Sequence, residues 1–567
     1  MTHETIQAGL AAALSDLGAA EAVIQLERPR DPTHGDVACN VALTLAGVLK
    51  RAPRQIAEEI VQRLDLAAMG VDTVEIAGPG FLNFRLSSGA VASVLTDILA
   101  ADLGFGRSEQ GASRSVMVEF VSANPTGPLH LGHARQAALG DAIAALLTWT
   151  GWRVHREYYY NDGGLQIERL AESVRARYLE HLGHEAEIPE GGYHGGYVRD
   201  IGAALAESFG TRFVEDASPE AMDEIRLFAV QIIRQEQDRD LSDFRVIFDE
   251  YYLESGLYTE GKVDATIAAL KETGLVYEHD GATWLKTTKF GDQKDRVMIR
   301  SNGLPTYFVP DVAYHKHKWE RGFHRVINVQ GADHHGTVDR VHSGVRALGL
   351  PEGFPQYVLH QMVRVERDGV EVKFSKRSGS GMTLRELSEE VGVDVTRYFF
   401  QMRRPDAHML FDIDAALDQS DKNPVFKVQY AHARMCSIFA KADVDPKQIA
   451  GVGADLSVLG HDLERELVKQ LGDFTETLKR AADNTSPHML CDYLEQTAAA
   501  ANAWYHAGNP SRNPELAVLV DDPALRQARL ILARAVQIVL RNGLIVLGIS
   551  APARLDRPTE PTSVDDA

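Results

Sequence analysis

Two short clusters in this chain have residue types suited to a polyanion. The first is His130-Leu131-Gly132-His133. Its imidazoles can donate hydrogen bonds to phosphate oxygens, and Gly132 lets a ligand approach the backbone closely. The second is Lys373-Phe374-Ser375-Lys376-Arg377, followed by Ser378-Gly379-Ser380-Gly381. Three cations and serine hydroxyls beside a Gly/Ser tract make a mobile clamp for phosphate, although a basic pentamer alone also describes many solvated loops.

A third set suits a cation. Glu119 interrupts an apolar run, and burying a lone carboxylate is costly, so it needs a positive partner. That partner is either a ligand or an internal residue such as Arg156. Tyr307 and Asp311 lie four apart after the Asn302-Gly303 turn, where a loop or one helical turn puts both on one side. Two carboxylates and a phenol can accept from the five donors of a guanidinium plane. Asp333 follows Val326-Ile327-Asn328-Val329 and a glycine, a position that suits a ribose hydroxyl. Asp333-His334-His335 also reads as a metal cluster. Adjacent residues rarely face one ion, however, and no third ligand is evident, so no metal site is assigned.

These residues need elements to hold them. Val116 to Val121 reads as a strand, Ser122 to Pro128 as a Pro/Gly loop, Gly132 to Thr150 as a helix, and Arg153 to Tyr160 as a second strand. Strand, loop, helix, strand is the βαβ unit of a parallel sheet. The His cluster then sits at a helix N-terminus, where unpaired N–H groups and the helix dipole favour anions. Charged, helical sequence follows over 166–283, read as an insertion between two halves of a nucleotide-binding fold. A second strand series begins near Trp284. Before the sheet, a helix from Pro53, Val74-Glu75-Ile76, the Gly78-Pro79-Gly80 turn and Phe81 to Leu86 suggest a small α+β domain. After Asn423 the pattern is almost entirely helical. The expected class is therefore multidomain α/β, with units 1–108, 109–422 and 423–567.

Composition agrees with this scale. At 567 residues, three or four folding units are expected, and 44% hydrophobic with 25% charged residues is ordinary for a globular protein. Only Cys39, Cys436 and Cys491 occur, with no C-x-x-C pair, which argues against a disulfide scaffold or structural zinc and for a reducing, cytoplasmic setting. The first residues lack a signal-peptide pattern. Residues 531–549 contain Arg534, Arg541 and Asn542, too polar for an ordinary membrane span, so a buried helix is expected there. The net charge of −21 disfavours nonspecific nucleic-acid binding but leaves room for a local basic track.

The two phosphate-type clusters, 243 positions apart, resemble the HIGH and KMSKS signatures of class I aminoacyl-tRNA synthetases. The arginyl branch is the closest in wording. Ala123-Asn124-Pro125-Thr126-Gly127-Pro128-Leu129-His130-Leu131-Gly132-His133-Ala134-Arg135 is similar to its first signature. Asn161-Asp162-Gly163-Gly164-Leu165-Gln166-Ile167, Gly331-Ala332-Asp333-His334-His335-Gly336 and Asn423-Pro424-Val425 with Gln429 to Arg434 resemble further arginyl words. Gly35-Asp36 with Asn40, and Gly78 to Asn83, resemble the arginyl N-terminal domain. Phe374 stands where Met is usual.

The resemblance implies a Rossmann-like catalytic domain that activates L-arginine with ATP and Mg²⁺ and charges tRNA(Arg). It implies His130, His133, Lys373 and Lys376 as catalytic. Residues 123–133, Gly331, Asp333, Lys373, Ser375 and Lys376 would bind ATP, with Met362 and Val363 at adenine. Glu119, Tyr307 and Asp311 would bind arginine, with Asn124 at its α-amino or carboxylate end. In the helical domain, Tyr430, His432, Arg434, Trp504 and Tyr505 are expected at anticodon bases. Asn83 and Phe84 are expected at the tRNA elbow. The protein is expected to act as a monomer away from membranes. Lysine activation, a small-molecule nucleotidyltransferase and an inactive RNA-binding relative are the alternatives. The planar acceptor set, the appended domains and the intact ionic residues weigh against each in turn.

Overall fold

In the computed structural model, which describes residues 2–555 except 28, 30, 32, 33, 373–381 and 510, a five-stranded parallel sheet organises the middle of the chain. Its order is Gln356–His360, Val326–Gly331, Ser115–Glu119, Arg153–Tyr160 and Glu250–Leu253. Val116, Val118, Val326, Ile327 and Val329 are buried, as expected of strands covered on both faces by helices. From Ser115–Glu119 the chain builds outward to one side, then returns through Val326–Gly331 to build the other. This reversal leaves a crevice at the carboxyl ends of those two strands, the usual ligand position in open α/β sheets. The register sets Glu119 directly beside Asn328.

The first strand is shorter than the sequence suggests. It ends at Glu119, because Val121 and Ser122 adopt φ of 67° and 42°. A β-branched residue there is sterically disfavoured, so the surroundings must hold it. Ser122 Oγ donates to Glu119 (3.0 Å) and accepts from Tyr159 N (3.2 Å). The chain then crosses to the helix Leu131–Trp149, which is buried along most of its length. A Cβ at Gly140 would lie 2.2 Å from the Phe120 ring, so only glycine lets this helix approach the strand end.

The stretch 166–283 is not one insertion. Helices Leu165–His181, Gly196–Phe209 and Pro219–Asp243 form their own apolar cluster, after which Glu250–Leu253 rejoins the parallel sheet. Nor do the strands near Trp284 open the second half of that sheet. Val276–His279, Ala282–Leu285 and Arg296–Ile299 make a separate antiparallel sheet, and the second half begins at Val326. Short alternating strands look alike in either setting, which is why pattern alone misplaced them.

The N-terminal unit is a four-stranded antiparallel sheet with helices Thr2–Asp16, Val41–Leu49 and Pro53–Val61. The C-terminal unit packs helices Pro424–Ala442, Asp462–Gly472, Phe474–Asp483, His488–Ala507 and Pro523–Val546. Arg534 and Arg541 of the last helix both reach Asp102 (3.0 and 2.8 Å), which explains charges in so apolar a stretch. No described helix is long and apolar enough to cross a membrane.

Candidate active site

His130 is the N-cap of the helix Leu131–Trp149. Its Nδ1 accepts from Gly132 N (3.0 Å), while His133 Nδ1 accepts from His130 N (3.3 Å). The rings stack with centroids 3.7 Å apart. With both Nδ1 atoms accepting, each imidazole, when neutral, carries its proton on Nε2. A Cβ at Gly132 would lie 2.9 Å from His130 Cε1, so glycine here makes room for the capping ring.

Lys373, Ser375 and Lys376 lie outside the described residues, but both flanks are fixed. Val372 N donates to Val365 O (2.8 Å). On the far side Thr383 bridges His130, and Leu384 N donates to Leu129 O (2.8 Å). Thr383 and Leu384, beyond the basic segment, are thereby tied to the first signature.

The loop from Ala123 to Leu129 is held at several points. Tyr158 OH bonds both the N and O of Ala123 (3.0 Å each), and Tyr197 OH donates to Thr126 O (2.7 Å). Gln237 Nε2 donates to Gly127 O (2.8 Å) and Asn124 O (3.2 Å), while the Asn124 amide donates to Gln166 Oε1 (2.7 Å). Pro125 and Leu129 are buried, and Pro128 and Leu131 complete the path to the helix.

Beside this loop the buried Glu119 carboxylate pairs with Lys318 Nζ, which also donates to Asn328 Oδ1 (3.2 Å). The internal cation is therefore Lys318; Arg156 instead faces Asp141 at 3.5 Å. Asn328 Nδ2 meets His315 Nε2 (2.7 Å), and His315 Nδ1 meets Asp311 O (2.7 Å). These partners select the neutral Nδ1–H imidazole, and burial with Lys318 nearby holds its pKa well below the ordinary value.

Asp311 lies in the first turn of the helix Phe308–Glu320, with Tyr307 at its N-cap and 72% exposed. Burial and the negative charges of Glu254 and Glu119 push the Asp311 carboxyl up to about 7, with Arg340 offsetting part of the rise. Burial also raises Glu254, which accepts a hydrogen bond from Tyr159. Tyr258 and Tyr357 feel the same charges. The result is a cluster of carboxylates and tyrosines at the sheet's carboxyl end. The sequence reading missed Glu254. Its signal lay in Asp162, whose carboxylate holds Ser255 N and Oγ (3.0 and 2.6 Å) and so fixes the turn carrying Glu254.

Gly331 ends its strand, and the exposed Asp333 carboxylate lies close to it; a Cβ on Gly331 would be 2.4 Å from Asp333 Oδ1. Met362 is 74% exposed and Val363 opens the next strand. Among the described residues, His155, Glu157 and Glu250 are spaced for a metal ion. Arg321 already bridges Glu157 and Glu250 at 2.6 Å each, so this set works as an ion-pair cluster.

Further out, Arg434 lies 4.7 Å from the centroids of both Tyr430 and Tyr505, a partly exposed stack suited to a base. His432 and Trp504 are corrections. Both are buried, His432 on the opposite face of its helix from Tyr430 and Arg434, with Nδ1 on Pro552 O (2.9 Å). Phe84 is likewise core, since Leu82, Phe84 and Leu86 alternate into the helices, and Asn83 is also buried. Neither presents a free surface to a partner. Asp36 instead links domains, accepting from Leu86 N (2.8 Å) and pairing with Lys469.

Comparison with known proteins matches three family models in order. They are the arginyl tRNA synthetase N-terminal domain over 4–86, the class I tRNA synthetase (R) catalytic domain over 94–400, and the DALR anticodon binding domain over 428–555. The chain is 47% identical to the arginine–tRNA ligase of Cupriavidus pinatubonensis, covering 96% of this chain and 97% of that one. Identity to the Thiobacillus denitrificans arginine–tRNA ligase is also 47%, covering 97% and 98%. The Thermus thermophilus arginyl-tRNA synthetase structure superposes with a TM-score of 0.78 at 25% identity, covering 98% and 100%.

Proposed function

This chain belongs to the arginyl-tRNA synthetase family, and from that premise we propose how its residues divide the work. The protein is an arginine–tRNA ligase: it joins L-arginine to the 3′ end of tRNA through arginyl-adenylate, at the expense of ATP. The observation that carries the residue assignment is the acidic cluster in which burial and the charge of Glu254 raise Asp311, while burial and Asp162 raise Glu254, itself bonded to Tyr159. A guanidinium entering it relieves the like-charge repulsion and meets oxygens in a planar fork, which the point charge of lysine does not match. Glu119 adds negative potential from behind its pair with Lys318, and Asn124 meets the α-amino or carboxylate end.

The arginine carboxylate attacks the α-phosphate of ATP in line, the bond to the β-phosphate oxygen breaks, and pyrophosphate leaves. His130 and His133 donate from Nε2 to the α-phosphate as charge builds, at the N-terminus of a helix whose dipole acts in the same sense. Lys373 and Lys376, with Ser375, neutralise the leaving pyrophosphate. Asp333 accepts from the ribose, Gly331 lets the nucleotide approach, and the backbone of Met362 and Val363 contacts adenine. Residues 123–129 supply the floor. Mg²⁺ would accompany ATP, bound largely by phosphate and water and not by a protein cage, and would neutralise phosphate charge. The tRNA terminal ribose, by its 2′-OH, then attacks the adenylate carbonyl and releases AMP.

Tyr430, Arg434 and Tyr505 form the anticodon-facing stack. We propose that the protein acts as a monomer. The unpaired cysteines fit a cytoplasmic setting. Pyrophosphate exchange with each amino acid, with and without tRNA(Arg), tests the reading: only arginine should support exchange. Comparable exchange with lysine would overturn it.

A further inference from the structure

The helix Pro219–Asp243 buries two polar side chains near its end, Gln237 and Asp240, and Phe244 follows as its C-cap. Spacings of three and four put all three on one face. Each meets a different part of the synthetic machinery. The Gln237 amide donates to the Gly127 and Asn124 carbonyls of the ATP loop (2.8 and 3.2 Å). Asp240 accepts from Arg385 Nε (2.7 Å), in the helix Leu384–Val391 that follows the second signature. Phe244 O accepts from the fully buried Arg397 (2.8 Å). Arg397 also pairs with Asp141 of the first-signature helix (2.5 Å) and donates to Leu547 O (3.1 Å), at the end of the last helix of the C-terminal unit.

None of the chemistry above uses this helix. We propose that Gln237 is a positioning residue for ATP activation: its amide holds the 124–127 loop in its nucleotide-receiving shape. Asp240 anchors the same helix to the helix Leu384–Val391, and the Phe244 carbonyl anchors it through Arg397 to the C-terminal helical unit. The loop then takes its shape from a helix seated by both catalytic signatures and by the anticodon-binding unit. The proposal rests on the reading of residues 123–133 as the ATP site.

Gln237→Glu keeps size and helical fit but sets a carboxylate oxygen against two carbonyls. Gln237→Met removes, without repulsion, the two hydrogen bonds to the loop and the longer ones that Gln237 Oε1 accepts from Tyr158 and Tyr160 (3.4 and 3.5 Å). Arginine-dependent pyrophosphate exchange, in the presence of tRNA(Arg), is measured for both variants and for the unaltered enzyme, alongside thermal unfolding. At pH 8.5 kcat/KM for ATP should fall by about a hundredfold in Gln237→Glu, the scale of an ångström's misplacement. It should fall by roughly tenfold in Gln237→Met, the scale of two lost hydrogen bonds. A buried carboxyl among acceptors takes up a proton above its ordinary pKa and then donates, so the Glu variant, relative to the unaltered enzyme, should recover several-fold by pH 6.

The groups facing this position are the Tyr158 and Tyr160 hydroxyls from the neighbouring strand, Arg234, Asp238 and Asp240 on the same helix, and Arg385 beyond Asp240. Tyr158 is held far above its ordinary value by burial, and Tyr160 at about 12, so neither tyrosine titrates in this window. The Met variant should show no such recovery. Normal ATP kinetics in both variants would overturn the proposal. So would equal losses in Glu and Met with no acid recovery, or losses that only track unfolding. Failure of the unaltered enzyme to exchange with arginine would instead overturn the underlying reading of the site.

Discussion

Glu119 and Lys318, 199 residues apart in sequence, meet as a buried ion pair at the carboxyl end of the central sheet. Lys318 Nζ also bonds Asn328, the register neighbour of Glu119, so the strand pairing and the ion pair fix one another. The charge of Glu119 is thus balanced from within the protein. The demand for a ligand cation passes to Asp311 and Glu254.

Removing Lys318 should therefore damage the fold before it damages specificity. Lys318→Met leaves Glu119 buried without a counter-ion, a loss that typically costs about 3–5 kcal/mol. Urea unfolding of the single variant should show that loss, and adding Glu119→Gln should restore a large part of it. A double variant as unstable as the single one would contradict the pairing.

Glu157 and Asp311 should pull stability in opposite directions with pH. Burial pushes Glu157 up, but hydrogen bonds from His155 and Tyr314 and the charges of Lys318 and Arg321 outweigh it and hold the group at about 2, below its ordinary 4.5. Its contribution is complete above pH 4.5 and is lost as pH falls toward 2. Asp311, raised from 3.8 to about 7, contributes most below pH 3.8 and loses that contribution as pH rises through 7. Without ligand, Glu157→Gln should lower the melting temperature at pH 7, with the deficit closing in acid. Asp311→Asn should raise it at pH 8 and not at pH 4. Parallel pH profiles for the two variants would refute this.

The second signature should act on the transition state. Lys376→Ala should slow activation about a hundredfold or more while weakening ground-state ATP binding far less, because its ammonium meets charge that grows as pyrophosphate departs. An unchanged kcat with a raised KM for ATP would reduce the loop to a binding element.

Binding of tRNA should depend on a limited set of local Lys and Arg contacts, given the net charge of −21. Affinity measured by filter binding should fall steeply from low to moderate salt. Arginine and ATP binding, being enclosed, should change little. A flat salt response for tRNA would contradict local basic tracks.

Much of this was legible in the sequence because it is local. The His130–His133 cluster, the strand before it and the helix after it follow from residue types within about twenty positions. What was not legible depends on pairing across the chain. That Lys318 would neutralise Glu119 requires knowing that Asn328 lies beside it in the sheet. Glu254 carries no signal of its own until Asp162, 92 positions earlier, is seen to hold the adjacent Ser255. His432, Trp504 and Phe84 show the reverse error: aromatic and basic residues suit both a base contact and a core. Only the face they occupy decides, and in the strand the exposed Arg85 lies one residue beyond the buried Phe84.

The central claim is that Asp311, raised to about 7 by burial and the charge of Glu254, receives the guanidinium of arginine and gives up its proton on binding. Its most direct test is calorimetric titration of the enzyme with arginine at pH 6.5 in two buffers of different ionisation enthalpy. With Asp311 titrating near 7, binding of the guanidinium should release roughly three quarters of a proton at pH 6.5, and almost none by pH 8.5. Asp311→Asn should abolish most of that release. The same variant should lower kcat/KM for arginine by roughly thirtyfold to a few thousandfold, matching a loss of about 2–5 kcal/mol for truncating a buried charge pair, and leave ATP affinity nearly unchanged. Arginine binding with the same heat in both buffers at pH 6.5, unaltered by Asp311→Asn, would show that this pocket does not hold the guanidinium.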